Sequence, residues 1–75
     1  MTKLSDLKPG QKAIIRNFTN AEIYVKLMEM GCVPGEQIWL EQIAPFGDPI
    51  SVKVSGYLLS LRLNEAEHIE VEVIS

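Results

Sequence analysis

The side chains in this sequence that could ligate a metal or act as a nucleophile are few and far apart. There is one cysteine, Cys32, and one histidine, His68. A metal site needs such residues at spacings that converge, and no motif of that kind is present. We therefore predict no metal site and no bound cofactor. We interpret Cys32 as a small buried hydrophobic residue and His68 as a solvated side chain or a cap of a local turn.

The glycines do not form a phosphate-binding loop. The sequence contains neither G-x-x-x-x-G-K-[ST] nor G-x-G-x-x-G, so it offers no cradle of backbone amides for a nucleotide. Its serine, cysteine and histidine residues lie in segments that give no reason for them to meet. The sequence thus predicts that the protein is not an enzyme.

Two aromatic residues remain as candidates for recognition. Trp39 combines a large apolar ring with a polar N–H group, and Phe46 lies among the turn-forming residues of segment 44–49. Together they could form part of a groove for an extended peptide, or Trp39 could belong to the core. An exposed Phe46 would require a partner to explain it.

The segment around which the rest of the chain is organised is its only strong helix, which has clear start signals. Thr19 and Glu22 have the spacing of a capping box, in which each side chain accepts a hydrogen bond from the other residue's backbone N–H. Phe18 and Ile23 flank it as a hydrophobic staple. We predict that the helix begins at Thr19.

The helix also has a clear stop signal. Gly31 can adopt the left-handed conformation of a helix C-terminus, and Pro34-Gly35 prevents continuation. The chain would then fold back so that Cys32 or Val33 packs on Leu27.

The rest of the sequence predicts five short strands. Their expected ranges are 11–17, 36–44, 50–54, 57–63 and 69–73, with a tight hairpin at Ser55-Gly56 and a single helical turn at 64–68 capped by Asn64. Strand 36–44 is apolar on both faces, which indicates a strong bend. This pattern predicts a mainly β fold with one inserted helix, a small antiparallel barrel, with an open sheet covered by the helix as the alternative.

The length and net charge of the chain limit the number of domains and the kinds of partner it can bind. A chain of 75 residues forms one domain, 1–75, and its net charge of −3 argues against nucleic acid and anionic lipid as partners. With no apolar run long enough for a signal peptide or a membrane span, and only one cysteine, we expect a cytoplasmic protein without direct membrane insertion. Cross-strand pairs of Lys12 and Arg16 with Glu70 and Glu72 are also expected.

Several segments, in order, resemble the FeoA family of ferrous iron transport proteins. They are L-K-P-G-Q at 7–11, L-M-E-M-G-C-V-P-G at 27–35, A-P-F-G-D-P at 44–49, V-S-G-Y-L-L-S-L-R at 54–62 and E-A-E-H-I-E-V at 65–71. Cys32 departs from the aliphatic residue expected after the M-G pair. The resemblance implies a five-stranded SH3-like barrel with an inserted helix.

The resemblance also implies a function. It suggests a small cytoplasmic accessory or regulatory protein of bacterial Fe(II) uptake that acts beside the FeoB membrane permease, which carries a GTP-hydrolysing domain. The alternatives are a direct Fe(II) carrier using Cys32, His68 and nearby carboxylates, and a small metal-responsive regulator. Weak homo-oligomerisation also stays open.

We expect the partner-binding surface to lie at the helix exit and in the 44–49 loop, because a barrel of this size uses its inward residues for packing. Both segments are shaped by proline and glycine, and rigid loops lose little entropy on binding. The residues assigned to this surface are Gly31, Cys32, Pro34, Gly35, Phe46 and Asp48.

Overall fold

The computed structural model describes residues 2–75, which form one six-stranded antiparallel sheet with two helices. The elements are β1 (Thr2–Lys3), a 3-10 turn (Leu4–Asp6), β2 (Lys12–Phe18), α1 (Ala21–Glu29), β3 (Gln37–Ile43), β4 (Ile50–Val54), β5 (Tyr57–Leu61), α2 (Leu63–Ala66) and β6 (Ile69–Val73). The strand order is β1-β6-β2-β3-β4-β5. The mainly β prediction is confirmed, but the sheet has six strands and not five. The two-residue β1 was missed because it is too short for any alternation to show.

Two irregularities bend the sheet around its core. The register between β2 and β6 shifts between Ile15 and Asn17, and the register between β3 and β4 shifts between Leu40 and Gln42. Such bulges add local twist and bend the strand that carries them. The bend predicted for the third of these strands, β3, is therefore confirmed. It explains why its apolar residues occupy both faces.

One core fills the concave side of the sheet. Its fully buried side chains come from every strand except β1, from the 3-10 turn and from the helices, and include Leu4, Ala13, Ile15, Leu27, Cys32, Ile38, Leu40, Ile50, Val52, Val54, Leu61, Ala66, Ile69 and Val71. In β4 and β6 the buried residues alternate with exposed or half-buried ones, as expected for strands with one face toward water. The alternation of Ile50, Val52 and Val54 with polar residues is confirmed in β4, whereas in β6 it holds for Ile69 and Val71 but not for Val73, which is exposed.

The start of α1 differs from the predicted capping box. Asn20, not Thr19, is the N-cap: its Oδ1 accepts hydrogen bonds from the backbone N–H groups of Glu22 (2.9 Å) and Ile23 (3.1 Å). The Thr19 hydroxyl instead lies 3.0 Å from Nδ1 of His68, which precedes β6. Asparagine is at least as good an N-cap as threonine, so the helix begins one residue later.

The helix exit confirms the predicted glycine stop. Gly31 has a φ of 91°, in the left-handed region, and its N–H donates to the Met28 carbonyl at 3.1 Å. The Cys32 N–H folds back to the Leu27 carbonyl at 2.9 Å. These two bonds define a Schellman motif, which satisfies carbonyls that the end of a helix otherwise leaves unpaired.

A tyrosine from the β4–β5 hairpin closes over this exit. Ser55 and Gly56 both have positive φ, 52° and 86°, which makes the predicted tight hairpin a type I′ turn. Tyr57 follows directly, and its hydroxyl donates to the Met30 carbonyl at 2.5 Å. The same hydroxyl lies 2.5 Å from where a Cβ on Gly31 would be. The helix exit and the hairpin are thus held together with no room for a side chain between them.

The second helix begins earlier than predicted. α2 covers Leu63–Ala66 with Arg62, not Asn64, at its N-cap, and the Glu65 carboxylate accepts the Arg62 backbone N–H at 2.9 Å. The other oxygen of Glu65 pairs with the Lys26 ammonium of α1. This buried carboxylate therefore caps one helix and ties it to the other.

We predict that Gly31→Ala costs more than the conformational penalty of about 1–2 kcal/mol that a left-handed residue carries, because the new methyl group also meets the Tyr57 hydroxyl. Gly35→Ala is the matched control, since Gly35 has a φ of 96° with nothing within 4 Å of its Cβ position. Urea unfolding should show Gly31→Ala as clearly the more destabilised variant. Adding Tyr57→Phe to Gly31→Ala should recover part of the loss. Equal unfolding midpoints for the two glycine variants would contradict this packing.

We also predict that Glu65 makes stability depend on pH. Its hydrogen bond to Lys26, followed by the hydrogen bond from the Arg62 backbone, lowers its pKa below the ordinary 4.5. A carboxyl group with a lower pKa in the folded state stabilises the fold above its unfolded pKa, and this contribution is lost as the pH falls through the folded pKa. Glu65→Gln should therefore be less stable than the parent at neutral pH, and the difference should shrink below pH 4.5. Exposed Glu67→Gln is the control, and a Glu65→Gln difference that does not change with pH would refute the assignment.

Candidate partner-binding surface

The 44–49 loop joins β3 to β4 and presents one fully exposed aromatic side chain. Its backbone is closed by two hydrogen bonds, from Gly47 N–H to the Ala44 carbonyl at 2.7 Å and from Ala44 N–H to the Pro49 carbonyl at 3.1 Å. Phe46 lies within this turn with 99% of its surface exposed. The structure therefore holds an apolar ring in water on a loop with a defined shape.

Asp48 anchors the same loop to the rest of the fold. Its Oδ1 accepts the Leu63 backbone N–H at 2.9 Å, at the first residue of α2. One oxygen of Asp48 thus has a structural partner, and a substitution there would disturb the loop as well as its charge.

The helix exit lies at the other end of β4. The Cβ position of Gly31 is 3.9 Å from the Ser55 side chain, just after β4, whereas the 44–49 loop leads into the start of β4 at Ile50. Five residues of strand separate these points by about 15 Å. The predicted surface is therefore split in two. Phe46 and Asp48 lie at one end of β4, and the residues of the helix exit lie at the other: Gly31, Cys32, Pro34 and Gly35.

The residues of the helix exit have mainly structural roles. Cys32 is fully buried, and Gly35 donates its N–H to the Ile15 carbonyl at 2.7 Å, which fixes the turn against β2. Pro34 is exposed and forms one wall of a surface groove of about 440 Å³. The other walls come from the end of β2 and the start of α1: Asn17, Phe18, Thr19, Asn20, Ala21 and Tyr24.

The two residues considered as metal ligands have other surroundings. Burial raises the pKa of the Cys32 thiol to about 11, so it is neutral at physiological pH. His68 has its Nδ1 beside the Thr19 hydroxyl. Within residues 2–75, no three His, Cys, Asp or Glu side chains come together in a group that could hold a metal ion. Because its thiol is protonated, Cys32 does not offer the thiolate that a soft metal prefers.

Trp39 lies on the outer face of the sheet, half-buried, and not in the core. Its register partners are Lys12 on β2 and Lys53 on β4, and the two ammonium groups lie 4.9 Å and 5.9 Å from the ring centroid. The predicted pairing of Arg16 with Glu72 is confirmed at 2.6 Å. The predicted pairing of Lys12 with a glutamate is wrong: on the β6 side the Lys12 backbone is bonded to Ile74 and Ser75, beyond the glutamates, and its ammonium lies beside the Trp39 ring.

Sequence reasoning missed two features of this surface. The sequence places Lys53 only within the predicted strand 50–54, and its position beside Trp39 follows from the β3–β4 register, which no local pattern specifies. Leu58, 63% exposed on β5, was read as an ordinary strand residue. The position of Lys53 beside Trp39 could have been predicted only by first working out how β3 and β4 pair.

No helix in the described part of the chain is long and apolar enough to cross a membrane.

The fold defines a class: a small, strongly bent β domain of the SH3 type with an inserted helix. The FeoA domain model matches residues 2–73. The chain belongs to the FeoA family, which is associated with ferrous iron transport.

Known relatives agree with this assignment. The chain is 39% identical over 74 residues to a fusion of Fe(2+) transport protein A and Fe(2+) transporter FeoB from Porphyromonas gingivalis, covering 97% of this chain and 9% of the fusion protein. It is 47% identical to iron(II) transport protein A from Clostridium thermocellum, with a TM-score of 0.91 over 97% of this chain and 46% of that one. FeoA from Stenotrophomonas maltophilia, described as an SH3 domain protein and solved with zinc, is 27% identical, with a TM-score of 0.83 over 96% and 91% of the two chains. The predicted family and SH3-like fold are confirmed.

We predict that the Cys32 thiol of the folded protein does not react with a thiol-specific reagent near neutral pH. The side chain is fully buried and its pKa of about 11 leaves almost no thiolate. Reaction should follow unfolding in urea, where burial is lost and the pKa returns to its ordinary value. Rapid modification of the folded protein would show that the thiol is accessible and ionised.

Proposed function

We propose that this domain is a non-enzymatic accessory domain of bacterial Fe(II) uptake that binds a FeoB-type membrane permease from the cytoplasmic side. The contact is made by the 44–49 loop, with Phe46 as the anchor. The domain adjusts the activity of the permease by binding it, and no step of this function requires the domain to hold iron.

The observation that carries this proposal is the exposure of Phe46. A phenylalanine side chain that is 99% exposed contributes nothing to the core and leaves its whole apolar surface in water. Aromatic side chains that enter a pocket on a partner are typical of the few residues that dominate binding energy. A loop already closed by its own hydrogen bonds loses little entropy when it docks.

The fusion relative supports the choice of partner. In that protein a segment 39% identical to this chain belongs to the same polypeptide as an Fe(2+) transporter FeoB. Covalent linkage raises the effective concentration of one domain near another, so a weak contact suffices there. A separate chain with the same role needs an anchor of its own, and Phe46 has the chemistry for one.

A carrier role through Cys32 is less well supported. A carrier needs an accessible group of ligands that can take up and release Fe(II), whereas this thiol is buried and protonated. His68 is oriented by its contact with Thr19. The geometry therefore favours a binding module over a metal carrier.

The test is Phe46→Ala in cells that lack their own copy of the gene. We expect this variant to lose restoration of Fe(II) uptake and to lose co-purification with the tagged permease, because removing an aromatic anchor costs about 2 kcal/mol or more, roughly thirtyfold in affinity. The thermal midpoint of the purified protein should stay nearly the same, since the side chain makes no contribution to the core.

Val25→Ala is the matched control, because it removes an apolar side chain that is 56% exposed on α1 and leaves the loop untouched. It should retain both uptake and co-purification. A folded Phe46→Ala protein that still restores uptake and still co-purifies at the parent level would overturn the proposed contact.

A further inference from the structure

Three side chains form a row on the outer face of the sheet, one from each of three adjacent strands. Lys12 is directly opposite Trp39, and Trp39 is directly opposite Lys53. The Lys12 ammonium lies 4.9 Å from the indole centroid and the Lys53 ammonium 5.9 Å from it. Both charges are thus held over one aromatic ring by the strand register. We call these three residues the Lys–Trp–Lys row.

The two lysines are not neutralised by carboxylates. The ion pairs formed within residues 2–75 are Arg16–Glu72 and Lys26–Glu65, which involve neither Lys12 nor Lys53. A cation–π contact attracts each ammonium to the ring but leaves its charge unbalanced. The row therefore keeps two like charges close together in a chain whose net charge is −3.

The neighbouring carboxylates form no ion pair with either lysine. Glu72, on the strand beside β2, accepts from Arg16, and Glu70 accepts from the Asn17 side chain at 3.1 Å. Glu41 lies in the β3 bulge, exposed, and forms no ion pair with either lysine. Among the described residues, then, neither Lys12 nor Lys53 forms an ion pair with a carboxylate.

We propose that the Lys–Trp–Lys row binds an acidic, extended segment of a partner polypeptide. Lysine and tryptophan side chains carry hydrogen-bond donors and no acceptors, so a carboxylate complements all three. The row crosses two strand spacings, about 10 Å, which matches carboxylates two or three residues apart on an extended chain. The indole ring adds an apolar surface for the side chain between them.

The observations favour an acidic polypeptide over nucleic acid. A phosphate backbone needs several basic contacts along its length, and the strand next to β2 presents Glu70 and Glu72 instead. The net charge of −3 repels any anionic partner at long range, and a long nucleic acid more strongly than a short acidic segment. A short acidic segment also needs only the few basic contacts that the row supplies. This surface does not include Phe46, so the inference holds independently of the proposed function.

The test uses the chain's one tryptophan as its reporter. The full-length protein is titrated with a capped peptide of six glutamates, with a peptide of six glutamines as the matched control, while Trp39 fluorescence is followed. We expect a saturable change with the glutamate peptide only, weakening as salt is added. Lys12→Gln and Lys53→Gln should each lower the affinity roughly two- to fivefold, as expected for exposed charge pairs.

Lys8→Gln controls for net charge, because it removes an exposed lysine outside the row. It should leave the affinity unchanged, and circular dichroism should show all three variants folded. Backbone amide shifts in β2, β3 and β4 give a second readout that does not depend on fluorescence. The proposal fails if the glutamate peptide gives no saturable change in either readout. It also fails if Lys8→Gln weakens binding as much as Lys12→Gln, or if a DNA duplex binds more tightly than the peptide.

Discussion

The constraint on which the rest of the structure depends is the junction between the exit of α1 and the β4–β5 hairpin. The left-handed Gly31 turns the chain back, the Schellman bonds complete the helix end, and the Tyr57 hydroxyl reaches the Met30 carbonyl across the gap. A domain of this size buries only a small apolar core, so a few polar contacts of this kind fix the position of α1. The Lys26–Glu65 pair fixes the same helix at a second point, against α2.

Because the core and these ties account for the inward residues, we infer that recognition uses the outside of the sheet and the loops. Phe46 and the Lys–Trp–Lys row are two such features, and they differ in kind. Phe46 offers bare apolar surface on a closed loop, whereas the row offers paired positive charge on a rigid sheet. Apolar anchors contribute most to affinity, and charges contribute more to orientation and rate of encounter. A partner that used both would be bound and oriented by separate contacts.

Much of the fold could be predicted from the sequence because its signals are local. The glycine stop at Gly31, the Ser55-Gly56 hairpin and the alternation in β4 and β6 each depend on a few neighbouring residues. What could not be predicted depends on pairing between distant segments. Thr19 and Asn20 are both good caps; Asn20 caps the helix, and Thr19 contacts His68, which is distant in the sequence. The position of Lys12 opposite Trp39, like the distance between the helix exit and Phe46, follows from strand register and topology, which no short motif encodes.

The central claim, that Phe46 enters a site on the permease, is tested most directly by photocrosslinking. Phe46 is replaced by benzoylphenylalanine, a photoreactive analogue of similar shape, and the protein is irradiated in iron-limited cells that express a tagged FeoB-type permease. The same group at Val25 serves as the comparison, since that side chain is also exposed. The account predicts an adduct with the permease from position 46 and none from position 25. An adduct from position 25 with none from position 46 would contradict it.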